Sequence, residues 1–158
     1  MIWMYRLLPL LALGVLSTSC GTDHDLGSFQ SRVADGIERA CSSSSSCTIK
    51  LANYTNFSWD FLYIFPYSTD AARITQVLGQ PLPDWREFQT HEVFMLAGKI
   101  VRREDFNADV ERPIRREIVF AGPSGADYVK IKSNEEITVT VKSDGADVYY
   151  LAQARGGS

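Results

Sequence analysis

The chain reads as an α+β domain: a mainly antiparallel sheet with two helices. Three observations predict this. Two segments in the first half carry apolar residues at helical spacing, several later runs are rich in β-formers, and the elements follow one another as helix, strands, helix and then a meander of strands. A β-sandwich with peripheral helices is the alternative that the same pattern allows.

Phe29, Val33, Ile37 and Ala40 recur at spacings of four, four and three, which places them on one face and predicts a helix over residues 28–40 with Ser28 as its N-cap. From Thr48 the period changes, and residues 48–52 and 59–65 read as strands, the second dense in aromatic and β-branched side chains. A second helix follows, with Ser68 or Thr69 as its cap, Ile74, Val77 and Leu78 as its apolar stripe, and Gly79 and Pro81 as its stop. Residues 82–90 form an irregular connection carrying Pro83 and Trp85. Residues 91–97 and 99–103 are one or two strands broken near Gly98, and residues 114–120, 128–132, 136–141 and 148–153 are further strands. Between these last runs lie Gly122-Pro123-Ser124-Gly125, Ser133-Asn134 and Asp144-Gly145, all residues that favour turns. Ile137, Val139 and Val141 alternate with Thr138 and Thr140, the mark of a half-buried antiparallel strand.

The first twenty residues carry an address. Arg6 supplies a positive charge, residues 7–16 carry none, and the small residues Ser17, Thr18 and Ser19 precede Cys20. This order is that of a secretory signal, and its apolar run is too short for a bilayer, which takes about 20 such residues. The junction resembles the lipobox of bacterial lipoproteins, with Ser17 where that pattern usually has Leu. The resemblance implies cleavage after residue 19, lipidation of Cys20 with palmitate among the acyl chains, and a lipidated tether over residues 20–27. Gly21 stands where the sorting pattern for inner-membrane retention has Asp, so the implied location is the outer membrane, facing the periplasm. A plain secretory signal cut at the same place is the alternative and differs only in the fate of the Cys20 thiol.

The chain has three cysteines. With Cys20 set aside, Cys41 and Cys47 remain, five serines apart, and an oxidising compartment makes them a disulfide that closes a small loop. Removing residues 1–19 from a chain of 158 leaves one domain over residues 28–154 and a flexible tail at residues 155–158. A hydrophobic content of 45% and a charged content of 22% suit a globular domain, and a net charge of −3 argues against a nucleic-acid partner.

Between Tyr54 and Tyr67, seven aromatics fall within fourteen positions. In an extended strand Trp59, Phe61, Tyr63 and Phe65 share one face and Leu62 and Ile64 the other. A central strand covered on both sides accounts for this, and a binding platform centred on Trp59 and Tyr63 is the functional alternative. Residues 59–79, with Trp59-Asp60, an aromatic strand, Pro66-Tyr67, a capped helix and Leu78-Gly79, resemble a segment of small uncharacterised exported bacterial lipoproteins. That resemblance implies an exported strand-to-helix unit and brings no activity with it.

Catalytic signals are sparse. Of two histidines, His24 sits in the tether between Asp23 and Asp25, and His91 beside Glu92 lacks the second helical histidine of a zinc protease motif. No nucleophile elbow or phosphate-cradling glycine loop is present, and nothing calls for a cofactor or metal. The charged stretch from Arg102 to Arg112 reads as a solvated surface, with a docking loop around Arg102, Arg103, Phe106 and Arg112 as its functional alternative. The expectation is therefore a noncatalytic binding or inhibitory module on a lipid anchor, with the membrane and an envelope protein as partners. One form of it is an immunity-type inhibitor of an envelope-targeting toxin. A structural or assembly lipoprotein of the envelope is the second expectation and a small periplasmic hydrolase the third.

Overall fold

A computed structural model describes residues 27–107, 113–123 and 126–154. The signal segment, Cys20, His24, the tether up to residue 26, Arg112 and the tail at 155–158 lie outside the described residues. The elements in order are α1 (Ser28–Ala40), β1 (Ser46–Lys50), a tight 3-10 turn at Leu51–Tyr54, β2 (Phe61–Phe65), α2 (Ala71–Leu78), β3 (Thr90–Leu96), β4 (Lys99–Phe106), β5 (Ile118–Ala121), β6 (Val129–Lys132), β7 (Glu136–Asp144) and β8 (Asp147–Ala154).

The fold is α+β, with its strands divided between two four-stranded sheets where the sequence suggested one. One sheet runs β1-β7-β8-β5 and the other β4-β3-β2-β6. Every pairing is antiparallel except that of β5 with β8. The exception follows from the path: the chain leaves the first sheet after β5, adds β6 to the second, and returns through β7, so β8 arrives beside β5 in the same direction.

Helix α1 has the predicted bounds and buries Phe29, Gln30, Val33, Ala34, Gly36 and Ile37. Its cap differs. Gly27 occupies the N-cap, and Glu104 of β4 meets the exposed helix start instead, accepting from Ser28 Oγ at 2.8 Å and from Phe29 N–H at 2.7 Å. A carboxylate there also complements the helix dipole. Gly36 is required by packing, because a Cβ at that position would lie 2.0 Å from the Tyr54 ring. Helix α2 is capped by Asp70 and not by Ser68 or Thr69: the Asp70 carboxylate accepts from Arg73 N–H at 2.7 Å, while Thr69 is buried. Gly79 ends it at φ 72°, as the sequence predicts.

The central strands β2 and β3 carry a core on each face. Leu62, Ile64 and Phe94 face α1 and the inner residues of the other sheet, including Ile137 and Val139. Phe65, Val93 and Met95, with Phe61 and Tyr63, face Ile74 and Leu78 of α2. Trp59 departs from the predicted alternation. At Asp60 the chain is pinned, its N–H donating to Met95 O and its carboxylate accepting from Ala97 N–H, both at 2.7 Å. Trp59 therefore turns into the α1-side core, where its ring meets Phe94 edge-on at 5.5 Å. The rings of Phe29 and Phe57 meet Phe94 the same way at 5.0 Å each. The Cys41–Cys47 disulfide, with Cα atoms 5.3 Å apart, ties the end of α1 to β1.

Two outcomes follow for stability. Replacing Phe94 by Ala lowers the unfolding free energy measured in urea by about 3–5 kcal/mol, whereas Ala at Phe88, 73% exposed, changes it by less than about 0.5 kcal/mol. Replacing Cys41 and Cys47 together by Ser costs about 2 kcal/mol, the loop-closure value for so short a ring.

Candidate functional site

Where the two sheets part, the edge strands β5 and β6 border an open cleft of about 330 Å3. Its walls are apolar: Ile118, Val119 and Phe120 of β5, Tyr128 and Val129 of β6, and Ile64 of β2, with Pro66 and Tyr67 at one end. Thr90, Phe106 and Glu117 also line it. An apolar hollow of this size with a few polar groups is the usual form of a binding site. Arg73 of α2 steadies the approach to β6 through Asp127, with Nε 2.5 Å from Oδ2.

The β5 wall is set by a side chain of α1. Gln30 Oε1 accepts from Ile118 N–H at 2.9 Å, and Gln30 Nε2 lies 3.5 Å from the Ile118 carbonyl. The amide thus stands beside Ile118 as a neighbouring strand would, on the side away from β8. Main-chain groups two residues apart on a strand point the same way, so those of Phe120 are directed to the same open edge, along the cleft. The Gln30 Nε2 also donates to Glu92 Oε1 at 2.5 Å. Glu92 sits opposite Ile64 in register and on the same strand face as Thr90, both cleft residues.

Glu92 is fully buried, and its Oε2 has no hydrogen-bond partner among the described residues. Burial pushes its carboxyl up from 4.5 to about 8; the bond from Gln30 opposes this, while Glu104, Asp105 and Glu117 add to it. On the opposite face of β3 and β4 lies a second network. His91 Nδ1–H donates to Asp105 Oδ1 at 2.8 Å and Arg103 Nε to the same carboxylate at 2.8 Å. Burial alone would raise the Asp105 carboxyl, but the bonds from His91 and Arg103 outweigh it and hold the group below its usual range. Arg103 also donates to the Pro83 and Asp84 carbonyls, which fixes the connection between α2 and β3.

The residues singled out in the sequence are scattered by this arrangement. Trp59 is 4% exposed and its Nε1–H is spent on Thr55 Oγ1 at 3.0 Å, so burial leaves it no surface for a platform. Tyr63 lies half-buried in the α2-side core, stacked on Phe65 at 6.1 Å. Arg102 lies over Phe57, 5.6 Å from the ring centre, and pairs with Glu104. Arg103 faces inward, as a clamp on a loop. Phe106 is buried at the end of β4 and reaches the cleft; Arg112 lies outside the described residues.

Gln30, Glu92 and Phe120 were missed, although the first two carry a signal. Gln30 stands in phase with the apolar stripe of Val33, Ala34 and Ile37, and Glu92 in phase with Phe94, so each is a polar residue at a core position. Among the described residues, no group of three or more His, Cys, Asp or Glu is placed to hold a metal ion. No protein-family model matches the chain, and no curated protein or solved structure matches it significantly.

The raised Glu92 carboxyl has a signed consequence. Between pH 4.5 and about 8 the folded chain keeps a proton that the unfolded chain has lost, so this group lowers stability as pH rises through that window and adds nothing further above it. Replacing Glu92 by Gln removes that slope. The variant should gain stability relative to the parent on going from pH 5 to pH 8, as read from urea unfolding at the two pH values.

Proposed function

We propose that this protein is a noncatalytic binding module, held at a membrane by a lipid on Cys20, that takes an extended segment of a protein partner into the cleft between β5 and β6. The observation that carries this is the cleft's position on an open strand edge. Apolar walls offer burial to side chains, and the outward main chain of Phe120 offers a hydrogen-bonding partner, the combination by which a peptide adds to a sheet edge. The anchor is supported by the order of Arg6, the uncharged run, the small residues and Cys20. In this reading the first expectation from the sequence keeps its substance and changes its surface, from the aromatic strand and the charged loop to the cleft.

A photo-crosslinking residue placed at Phe120 in cells should give a discrete protein adduct that is absent when the same residue is placed at Tyr149, on β8 away from the cleft. Adducts that are equal at the two positions would sink the assignment. Replacing Cys20 by Ser should move the protein from the membrane to the soluble fraction or block its processing, and unchanged membrane association would remove the anchor.

A further inference from the structure

We propose that Glu92 and Gln30 form a proton-dependent latch on the inner wall of the cleft, holding β5 to α1 while the carboxyl is neutral and loosening that wall when it is charged. This rests on the binding role proposed above for its use, while the latch itself stands on the junction. Three elements meet at one amide: Gln30 comes from α1, Glu92 from β3 in one sheet, and Ile118 from β5 in the other. Among the described residues no other hydrogen bond ties the Ile118 main chain to α1; Arg116, just before β5, pairs with Asp35 and Glu38 of the helix, and the Gln30 amide fixes the strand itself at Ile118.

The surroundings decide what a charge on Glu92 does. From β4, Glu104 faces it directly in register and Asp105 follows; from the turn before β5, Glu117 adds a third carboxyl. The facing residues of α1 and β2, Gln30 and Ile64, carry no charge. The nearby cations are committed elsewhere, Arg102 to Glu104 and Arg103 to Asp105 on the opposite face. Ionisation strengthens the single bond from Gln30, but that is one neutral donor set against lost hydration and three like charges. When the proton leaves for solvent, the relief available is rotation of the carboxylate toward water. Gln30 Nε2 then follows the carboxylate and draws the amide off Ile118, or loses it and leaves the amide holding Ile118 with one anchor fewer. Because Ile118, Ile64 and Thr90 line the cleft, its wall loosens with the latch.

The experiment uses the full chain in detergent, labelled for NMR, without any partner. From pH 6 to 9.5 the Glu92 side-chain carboxyl should titrate with a midpoint near 8. Over the same midpoint the Ile118 amide, after correction for intrinsic base catalysis, should gain about tenfold in hydrogen exchange, while Val139 in β7 does not. Titration of Glu92 in the ordinary carboxylate range, or unchanged protection of Ile118 across its titration, overturns the latch. Glu92→Gln should abolish the step. Gln30→Met, which keeps the bulk and removes the amide, should expose Ile118 to exchange at every pH, and a pH step that persists in it also overturns the proposal. Crosslinking at Phe120 fails or succeeds independently of these readings, so loss of the binding role and loss of the latch are told apart.

Discussion

The packing of this domain depends on one ring. Phe94 stands on the central strand β3 and receives the edges of Phe29 from α1 and of Phe57 and Trp59 from the approach to β2. Edge-on aromatic contacts are directional as well as apolar, so they set where the helix lies on the sheet and where the chain turns into β2. Trp59 is drawn to this ring, which is why it leaves the strand face that its spacing assigns to it. The helix comes close enough for Tyr54 to occupy the space a side chain at position 36 would need.

Around that apolar centre, buried polar groups specify what packing leaves loose. Glu104 meets the start of α1 from the far edge of one sheet, and Gln30 meets the edge strand of the other. Apolar side chains would fill the same space, yet they would give β5 no hydrogen-bonded register and the helix no cap. Such groups cost desolvation energy, and Glu92 is fully buried with one oxygen unpaired.

Much of the fold is legible in the sequence because local rules and burial agree there. The apolar stripe from Phe29 to Ile37, the stop at Gly79 and the alternation through Val139 each obey one period and face one core. The cap of α1 is not legible, since Glu104 reaches it from 75 positions away and no local pattern announces it. The assignment of β5 and β6 to different sheets is not legible either, because they are neighbours in sequence and only the pairings with β8 and β2 separate them. The cleft is a consequence of that separation and so was hidden with it. Gln30 and Glu92 were visible as polar residues at core positions, but not as partners.

The pairing of β1 with β7 carries a kinetic consequence. Ser46–Lys50 finds its register only on residues 136–140, and Gln30 finds Ile118 only across 88 positions. The amino-terminal helix and strand therefore close two of the longest loops in the domain, at an entropic cost that no local contact offsets in advance. A chain still lacking its last third has nothing on which to lay β1 and no edge strand to meet Gln30. The α1-side core is complete only with the carboxy-terminal hairpin of β7 and β8, whereas the buried residues of the α2-side core all lie between Phe65 and Met95.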